Sequence, residues 1–103
     1  LDPVVLPVNA AQDQCREALA AMPTFRTLCE PPPHIIIGLS NVSQGTANRS
    51  LINRTYLAMA MAAGCDAAIL DPLDKDLMDV LRTASILLNQ EIYCDSYLQS
   101  QPA

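Results

Sequence analysis

The sequence predicts an α/β fold in which short parallel strands alternate with helices. Two apolar runs, 34–39 and 67–70, are rich in Ile and Ala and predict strands buried in a parallel sheet. Each run is followed by a segment whose apolar residues recur at helical spacing. Half of the 103 residues are apolar and only 4% are aromatic, which favours helices packed on a sheet. Strands alternating with helices in this way predict βα units with parallel strands.

The N-terminal third predicts a strand end followed by one helix. Residues 1–3 resemble the tail of a strand, and residues 4–8 form a further extended apolar stretch. Asn9 is expected to cap the helix together with Gln12, and Pro23 to end or kink it, because proline has no amide proton to donate. The apolar face of this helix is expected to consist of Cys15, Ala18, Leu19 and Met22.

The middle third predicts the clearest strand and a long helix. The strand runs from His34 to Leu39, and 40–48 is a polar loop. A helix is expected over 49–63, with Gly64 as its left-handed C-cap. Its expected core face consists of Ile52, Tyr56, Met59, Ala60 and Ala63.

The last third predicts a short strand over 67–70 and another helix. Asp74 is the expected N-cap of that helix, and Asp76 favours the positive end of its dipole. A further short helix is expected over 91–98. The expected core face of the longer helix consists of Leu77, Val80, Leu81, Ala84, Leu87 and Leu88.

Two strands and one strand tail are too few for an open sheet that is covered by helices on both sides. The predicted parent is therefore a (β/α)8 barrel, which usually needs ~250 residues. The alternative is a small doubly wound α/β domain. The chain starts with Leu1 instead of methionine, so we expect that processing or truncation has removed an upstream part.

Composition narrows the classes of function. The net charge of −5 argues against a nucleic-acid partner, which needs clustered Lys and Arg. No apolar run approaches the ~18–20 residues of a membrane span, so we expect no membrane association and a cytoplasmic protein. The four cysteines form no C-x-x-C pair and His34 is the one histidine, so a bound metal is not expected. Buried, reduced cysteines are favoured over a disulfide framework.

Polar residues that follow the expected strands are the candidate site residues. Asp2, Ser40-Asn41 and Asp71 fall at the C-terminal ends of strands, where α/β folds gather their sites. His34 lies at the opposite end of its strand, so a Ser-His-Asp triad is not expected. Taken alone, Asp2 and Asp71 are better explained as turn residues before proline, and Asn41 as a residue that stabilises its own loop.

Four segments carry a resemblance to a known family. They are similar to the methyltetrahydrofolate:corrinoid/iron–sulfur protein methyltransferases, and more remotely to dihydropteroate synthase. The resemblance implies that residues 1–103 form the C-terminal part of a (β/α)8 TIM barrel. That part is a partial pterin-binding domain of about three βα units, from the end of strand six through helix eight. The segments are 38–45, 48–61, 64–72 and 87–98, together with Asp2-Pro3 and 6–8.

The resemblance also implies an activity and the residues that perform it. Such an enzyme is a homodimer that transfers the N5 methyl group of methyltetrahydrofolate to the Co(I) corrinoid of a partner, a corrinoid/iron–sulfur protein or similar carrier. By motif, Asp2 matches the pterin-binding aspartate and Asn41 the catalytic asparagine beside N5. Ile69 is implied to line the pterin pocket, while Gln44 and Arg49 fall in a loop that faces the incoming corrin.

Two other functions remain open at this stage. One is a non-catalytic half-barrel that serves in binding or dimerisation. The other is a different pterin enzyme such as dihydropteroate synthase, which would need basic residues for a pyrophosphate near the strand ends. Arg49 and Arg54 are the candidates for that role, and nothing basic follows 67–70 closely, which disfavours it. In every case the isolated chain is expected to be a poor catalyst with unpaired strand edges.

Overall fold

The computed structural model describes residues 1–90, so the helix expected at 91–98 lies outside the described residues. A 3-10 helix follows the first strand directly. The elements are, in chain order, α1 (Gln12–Phe25), β1 (Ile36–Gly38), the 3-10 helix (Leu39–Ser43), α2 (Arg49–Ala63), β2 (Ala67–Ile69) and α3 (Lys75–Leu87). The predicted alternation of strands and helices is confirmed. The two strands form a small parallel sheet with α2 as the crossover between them.

The sheet continues beyond β1 through the first residue of the chain. The Leu1 amino group donates to His34 O over 2.7 Å, and Leu1 O accepts from the Ile36 amide over 2.8 Å. Two bonds that flank one residue in this way are the pattern of a parallel ladder. Ile35 O points to the other side and accepts from the Ala67 amide. Leu1 therefore lies on the opposite edge of β1 from β2, as expected for the tail of a strand.

The sheet has one buried face and one exposed face. Ile35 and Ile37 are fully buried in a core cluster that also contains residues of all three helices. On the other face Ile36 is 39% exposed and Ile69 is 69% exposed. The expectation of strands buried on both faces is wrong for this chain, because the helices cover one face and nothing in residues 1–90 covers the other.

Helix α1 differs from its prediction at both ends. It begins at Gln12 after Ala11, with no side-chain cap, so the expected capping pair of Asn9 and Gln12 is wrong. The amides of residues 10 and 11 donate instead to Pro7 O, which makes a backbone turn before the helix. Pro23 lies inside the helix, which continues to Phe25. The predicted face is confirmed, since Cys15, Ala18 and Met22 are buried and Leu19 is partly buried.

The ends of α2 and α3 follow their predictions. Gly64 has φ 114° and donates to Ala60 O and Met61 O, as a left-handed C-cap does. The Asp74 carboxylate accepts from the Leu77 amide over 3.1 Å and caps α3. The sequence-derived faces were less accurate.

Helix α2 contacts both α1 and α3, which widens its buried surface. Leu57 and Met61 are buried although the pattern omitted them, whereas Met59 is 51% exposed. On α3, Leu87 is 79% exposed, so its expected place in the core is wrong. On the α1 side, the Tyr56 hydroxyl donates to Cys15 O over 2.7 Å, and burial raises the pKa of Tyr56 to about 12.

A charged cluster joins the N-terminal ends of the two strands. Asp66 accepts from the Ile35 amide over 2.8 Å through one oxygen. Its other oxygen lies 2.7 Å from His34 Nδ1 and 3.6 Å from Arg26 Nη1. Partial burial alone would raise the pKa of Asp66, but these hydrogen bonds and the charges of His34 and Arg26 hold it below its usual value.

Replacing Asp66 with asparagine should therefore change the pH dependence of stability. Because the folded-state pKa of Asp66 lies below the usual pKa of an aspartate, the ionised carboxylate stabilises the fold at neutral pH, and the contribution is lost as the pH falls through the folded-state pKa. We expect Asp66→Asn to cost about 0.5–1 kcal/mol near neutrality, since the pair is partly exposed. Urea unfolding of the complete gene product at about pH 6 and about pH 3 measures it. Glu17→Gln, on the exposed side of α1 beyond its first turn, is the control, and a difference that persists unchanged at about pH 3 contradicts the assignment.

Candidate functional site

The C-terminal ends of the two strands bring together two of the candidate residues, Asn41 and Ile69, with Gly38 between them. Asn41 lies in the 3-10 helix directly after β1, and its Nδ2 is 3.5 Å from the point where a Cβ on Gly38 would lie. Gly38 pairs with Ile69 in the sheet register, so both residues point to the same face. That is the exposed face, which also carries Ile36. The Asn41 carboxamide thus lies beside an open apolar surface at the C-terminal end of β1.

Asp2 reaches the same face from the other edge of β1. Because the bonds of Leu1 flank Ile35, Asp2 lies level with Ile36, two residues before the end of β1 at Gly38. One of its carboxylate oxygens accepts from the Val4 amide over 2.9 Å. The second oxygen makes no hydrogen bond within residues 1–90, so it is open to a ligand.

Asp71 repeats the arrangement of Asp2 after β2. Its carboxylate accepts from the Leu73 amide over 2.9 Å, again two residues along the chain and across a proline. Both aspartates therefore hold a turn, as their position before proline predicts. For Asp2 the turn occupies one oxygen and leaves the binding role possible, since each carboxylate oxygen has two acceptor sites.

The two loop residues implied to face the corrin differ in their contacts. Gln44 is exposed just after the 3-10 helix, and its backbone amide donates to Asn41 O over 3.3 Å. Arg49, the first residue of α2, points back at the 3-10 helix. Its Nε donates to Ser43 Oγ over 3.1 Å and its Nη2 to Ser40 O over 3.0 Å. Two of its five N–H donors are thus engaged by the turn that carries Asn41.

Ser43 is a residue of this site that the sequence did not identify. It is 0% exposed, and among residues 1–90 it is the one polar residue that is buried. Its hydroxyl accepts from Arg49 and donates to Ser40 O over 3.3 Å. In the sequence it is one of several polar residues in the loop, and nothing local distinguishes it from Ser40. The signal is its spacing from Arg49 across the start of a helix, which has meaning only once the turn is formed.

The residue types at the site suit a flat ring with a polar edge. A carboxylate accepts hydrogen bonds, a carboxamide both donates and accepts, and Ile69 with Gly38 offers an apolar surface for a ring to lie on. Within residues 1–90, no group of three or more His, Cys, Asp or Glu side chains is placed to hold a metal ion. The site therefore offers hydrogen bonds and apolar contact to a ligand.

A separate cavity lies on the helix side of the sheet. It has a volume of about 410 Å3 and is lined by residues of α2, β2 and α3, among them Met61 and Leu81, and by Cys65 in the turn between α2 and β2. The Cys65 thiol donates to Ala67 O over 3.1 Å, and burial raises its pKa, so it is protonated at neutral pH. Cys15 and Cys65 are buried free thiols as expected, while Cys29 is exposed. The site residues named above do not line this cavity.

Comparison with known proteins shows that the chain is similar to a methyltransferase whose name refers to tetrahydrofolate and a corrinoid. The chain is 30% identical over 97 residues to the methylcorrinoid:tetrahydrofolate methyltransferase of Eubacterium limosum. The match covers 94% of this chain and 35% of that relative, so the chain spans about a third of the length of the curated relative it matches. No family model matches the chain. The similarity supports a relationship to methyltransferases of this class and does not single out a particular member.

In the part of the chain that the structure describes, none of the three helices has the length and apolar character needed to cross a membrane.

Proposed function

We propose that the chain is the C-terminal part of an enzyme that transfers a methyl group between N5 of tetrahydrofolate and a corrinoid carried by a partner protein. The observation that carries the proposal is the 30% identity over 94% of the chain. It is supported by the juxtaposition of Asn41 with the apolar surface at Gly38 and Ile69. The parent fold is a (β/α)8 barrel, whose remaining strands would cover the exposed sheet face.

The proposed direction is from methyltetrahydrofolate to Co(I), whereas the relative's name places the methyl group on the corrinoid first. The same site serves both directions, because forward and reverse reactions share one transition state. In the proposed direction the bond between N5 and the methyl carbon breaks, and N5 keeps the electron pair and takes up a proton. The methyl carbon bonds to cobalt with the electron pair that Co(I) supplies.

Asn41 is the residue proposed to act at N5. An amide does not titrate near neutral pH, so Asn41 does not supply the proton. Its side chain donates to or accepts from N5 as the charge on that nitrogen changes, which stabilises the transition state more than the ground state. The carboxamide has no hydrogen-bond partner within residues 1–90, so it is available for that contact. Asp2 would orient the pterin through its open oxygen, and Ile69 would lie against the ring.

The partner is proposed to be a corrinoid/iron–sulfur protein or a similar corrinoid carrier. The cofactor would arrive bound to that carrier, and Gln44 would lie on the loop it approaches. The complete enzyme is proposed to be a cytoplasmic homodimer, as the resemblance implies.

The test is an assay of the complete gene product, expressed from its own start codon. The purified protein is mixed with methyltetrahydrofolate and a Co(I) corrinoid protein, and the loss of the Co(I) absorbance is followed. We expect a rate that depends on both substrates. Omission of methyltetrahydrofolate is the control. Absence of methyl transfer in either direction, with folate bound and the protein folded, would leave a non-catalytic binding or dimerisation module as the function.

A further inference from the structure

We propose that Arg49 and Ser43 are positioning residues that fix Asn41 by clamping the 3-10 helix. The inference rests on the proposed methyl transfer and assigns Arg49 a role other than contact with the corrin. Arg49 Nε binds the Ser43 hydroxyl, and Arg49 Nη2 binds Ser40 O. The Ser43 hydroxyl also donates to Ser40 O. The three bonds join the Arg49 guanidinium, the Ser43 hydroxyl and Ser40 O to one another. Asn41 lies between the two serines in the chain.

The backbone carbonyls of residues 40–43 in this turn each accept a hydrogen bond. Ser40 O accepts from Arg49 and from the Ser43 hydroxyl. Asn41 O accepts from the Gln44 amide over 3.3 Å, and Val42 O accepts from the Val8 amide over 2.9 Å. Ser43 O accepts from both the amide and the hydroxyl of Thr46, over 3.0 and 2.7 Å. Such a turn has few ways to move, since each carbonyl would lose a partner.

The Asn41 side chain stands in contrast to its backbone. It makes no hydrogen bond within the described 90 residues, whereas the turn beneath it is held at each position. A group that must meet one atom of a substrate needs this arrangement, because a misplacement of ~1 Å can cost ~10²-fold in rate. The buried Ser43 hydroxyl links Arg49 to Ser40 O, in the peptide group that precedes Asn41.

Lysine at position 49 separates this role from a contact with the corrin. It keeps the positive charge, so attraction of a charged partner is preserved, but it has no planar fork to reach Ser43 Oγ and Ser40 O together. For Arg49→Lys we expect kcat of methyl transfer to fall ~10–100-fold. We expect KM for methyltetrahydrofolate and for the corrinoid protein to stay within about twofold, since binding contacts are retained.

Arg54→Lys is the matched control. Arg54 lies on the same helix, and its guanidinium bonds Ser50 and approaches Asp76, away from the 3-10 helix. We expect wild-type kcat for it. Ser43→Ala should lower kcat as Arg49→Lys does, and the double variant should be no slower than the slower single variant, because both remove the same clamp.

Amide hydrogen exchange supplies a readout that does not depend on activity. In Arg49→Lys the amides of Gln44 and Thr46, which donate to the clamped turn, should exchange faster than in the wild type and in Arg54→Lys. If the wild-type protein transfers no methyl group, the proposed function fails alone, and exchange still decides whether Arg49 holds the turn. An Arg49→Lys variant with wild-type kcat overturns the inference. If KM for the corrinoid protein is also raised in that variant, Arg49 contacts the partner instead.

Discussion

Replacing Asn41 with alanine in the complete protein should slow methyl transfer by ~10²–10³-fold, the usual cost of losing one donor to a developing charge. The free energy of unfolding should change by less than about 0.5 kcal/mol, because the side chain is exposed and makes no hydrogen bond within residues 1–90. Single-turnover kinetics measure the first effect and urea unfolding the second.

Asn48→Ala is the matched control for this experiment. Asn48 precedes α2 at the N-cap position but makes no side-chain cap bond, so its loss should leave the rate unchanged. A folded Asn41→Ala protein that turns over at nearly the wild-type rate would remove Asn41 from the mechanism. Asn41→Asp gives a second check, since a carboxylate accepts but does not donate, and should also be slow.

Ile36 and Ile37 should respond differently to truncation in the isolated chain and in the complete protein. Ile37 is fully buried against the helices, so Ile37→Ala should cost about 2–5 kcal/mol in both. Ile36 lies on the exposed face, so Ile36→Ala should cost less than about 1 kcal/mol in the isolated chain. In a closed barrel the same residue would face the filled interior, and the cost should rise to about 2–5 kcal/mol.

Urea unfolding of both variants in both proteins measures this difference. The paired design matters because the two residues are neighbours of the same type on opposite faces of one strand. A cost for Ile36→Ala that stays small in the complete protein would contradict the barrel, whose interior is filled with side chains. It would equally contradict a doubly wound domain, which covers both faces of its sheet with helices. Ala68→Gly, on the helix side of β2, is not informative here, since it also changes backbone entropy.

Features that depend on a few neighbouring residues were predictable from the sequence. Gly64 ends α2 and Asp74 caps α3 because glycine at a positive φ and a carboxylate near free amides act locally. Burial was harder to predict. Met59 and Leu87 have the periodicity of core residues but are exposed, since the surface that covers a helix is decided by packing between distant segments.

The candidate site also has one part that was predictable from the sequence and another that was not. The loop after β1 was recognisable as the place of Asn41, because sites follow the strands of α/β folds. The contact of Asn41 with Gly38, and the clamp from Arg49 through Ser43, depend on how the loop folds back on the start of α2. A buried serine and an exposed one look alike in a polar run. The sheet register that brings Ile69 beside Gly38 spans 31 residues, and no local pattern specifies it.

The pairing of Leu1 with β1 has a consequence for how such a protein would be made on the ribosome. Under the proposed fold, the segment described here leaves the exit tunnel after the strands that precede it. Those strands would wait with an open edge until Leu1 and β1 emerge to pair with it. Barrel closure would then wait for this segment, and a nascent chain stalled before it would present a long unpaired edge to chaperones.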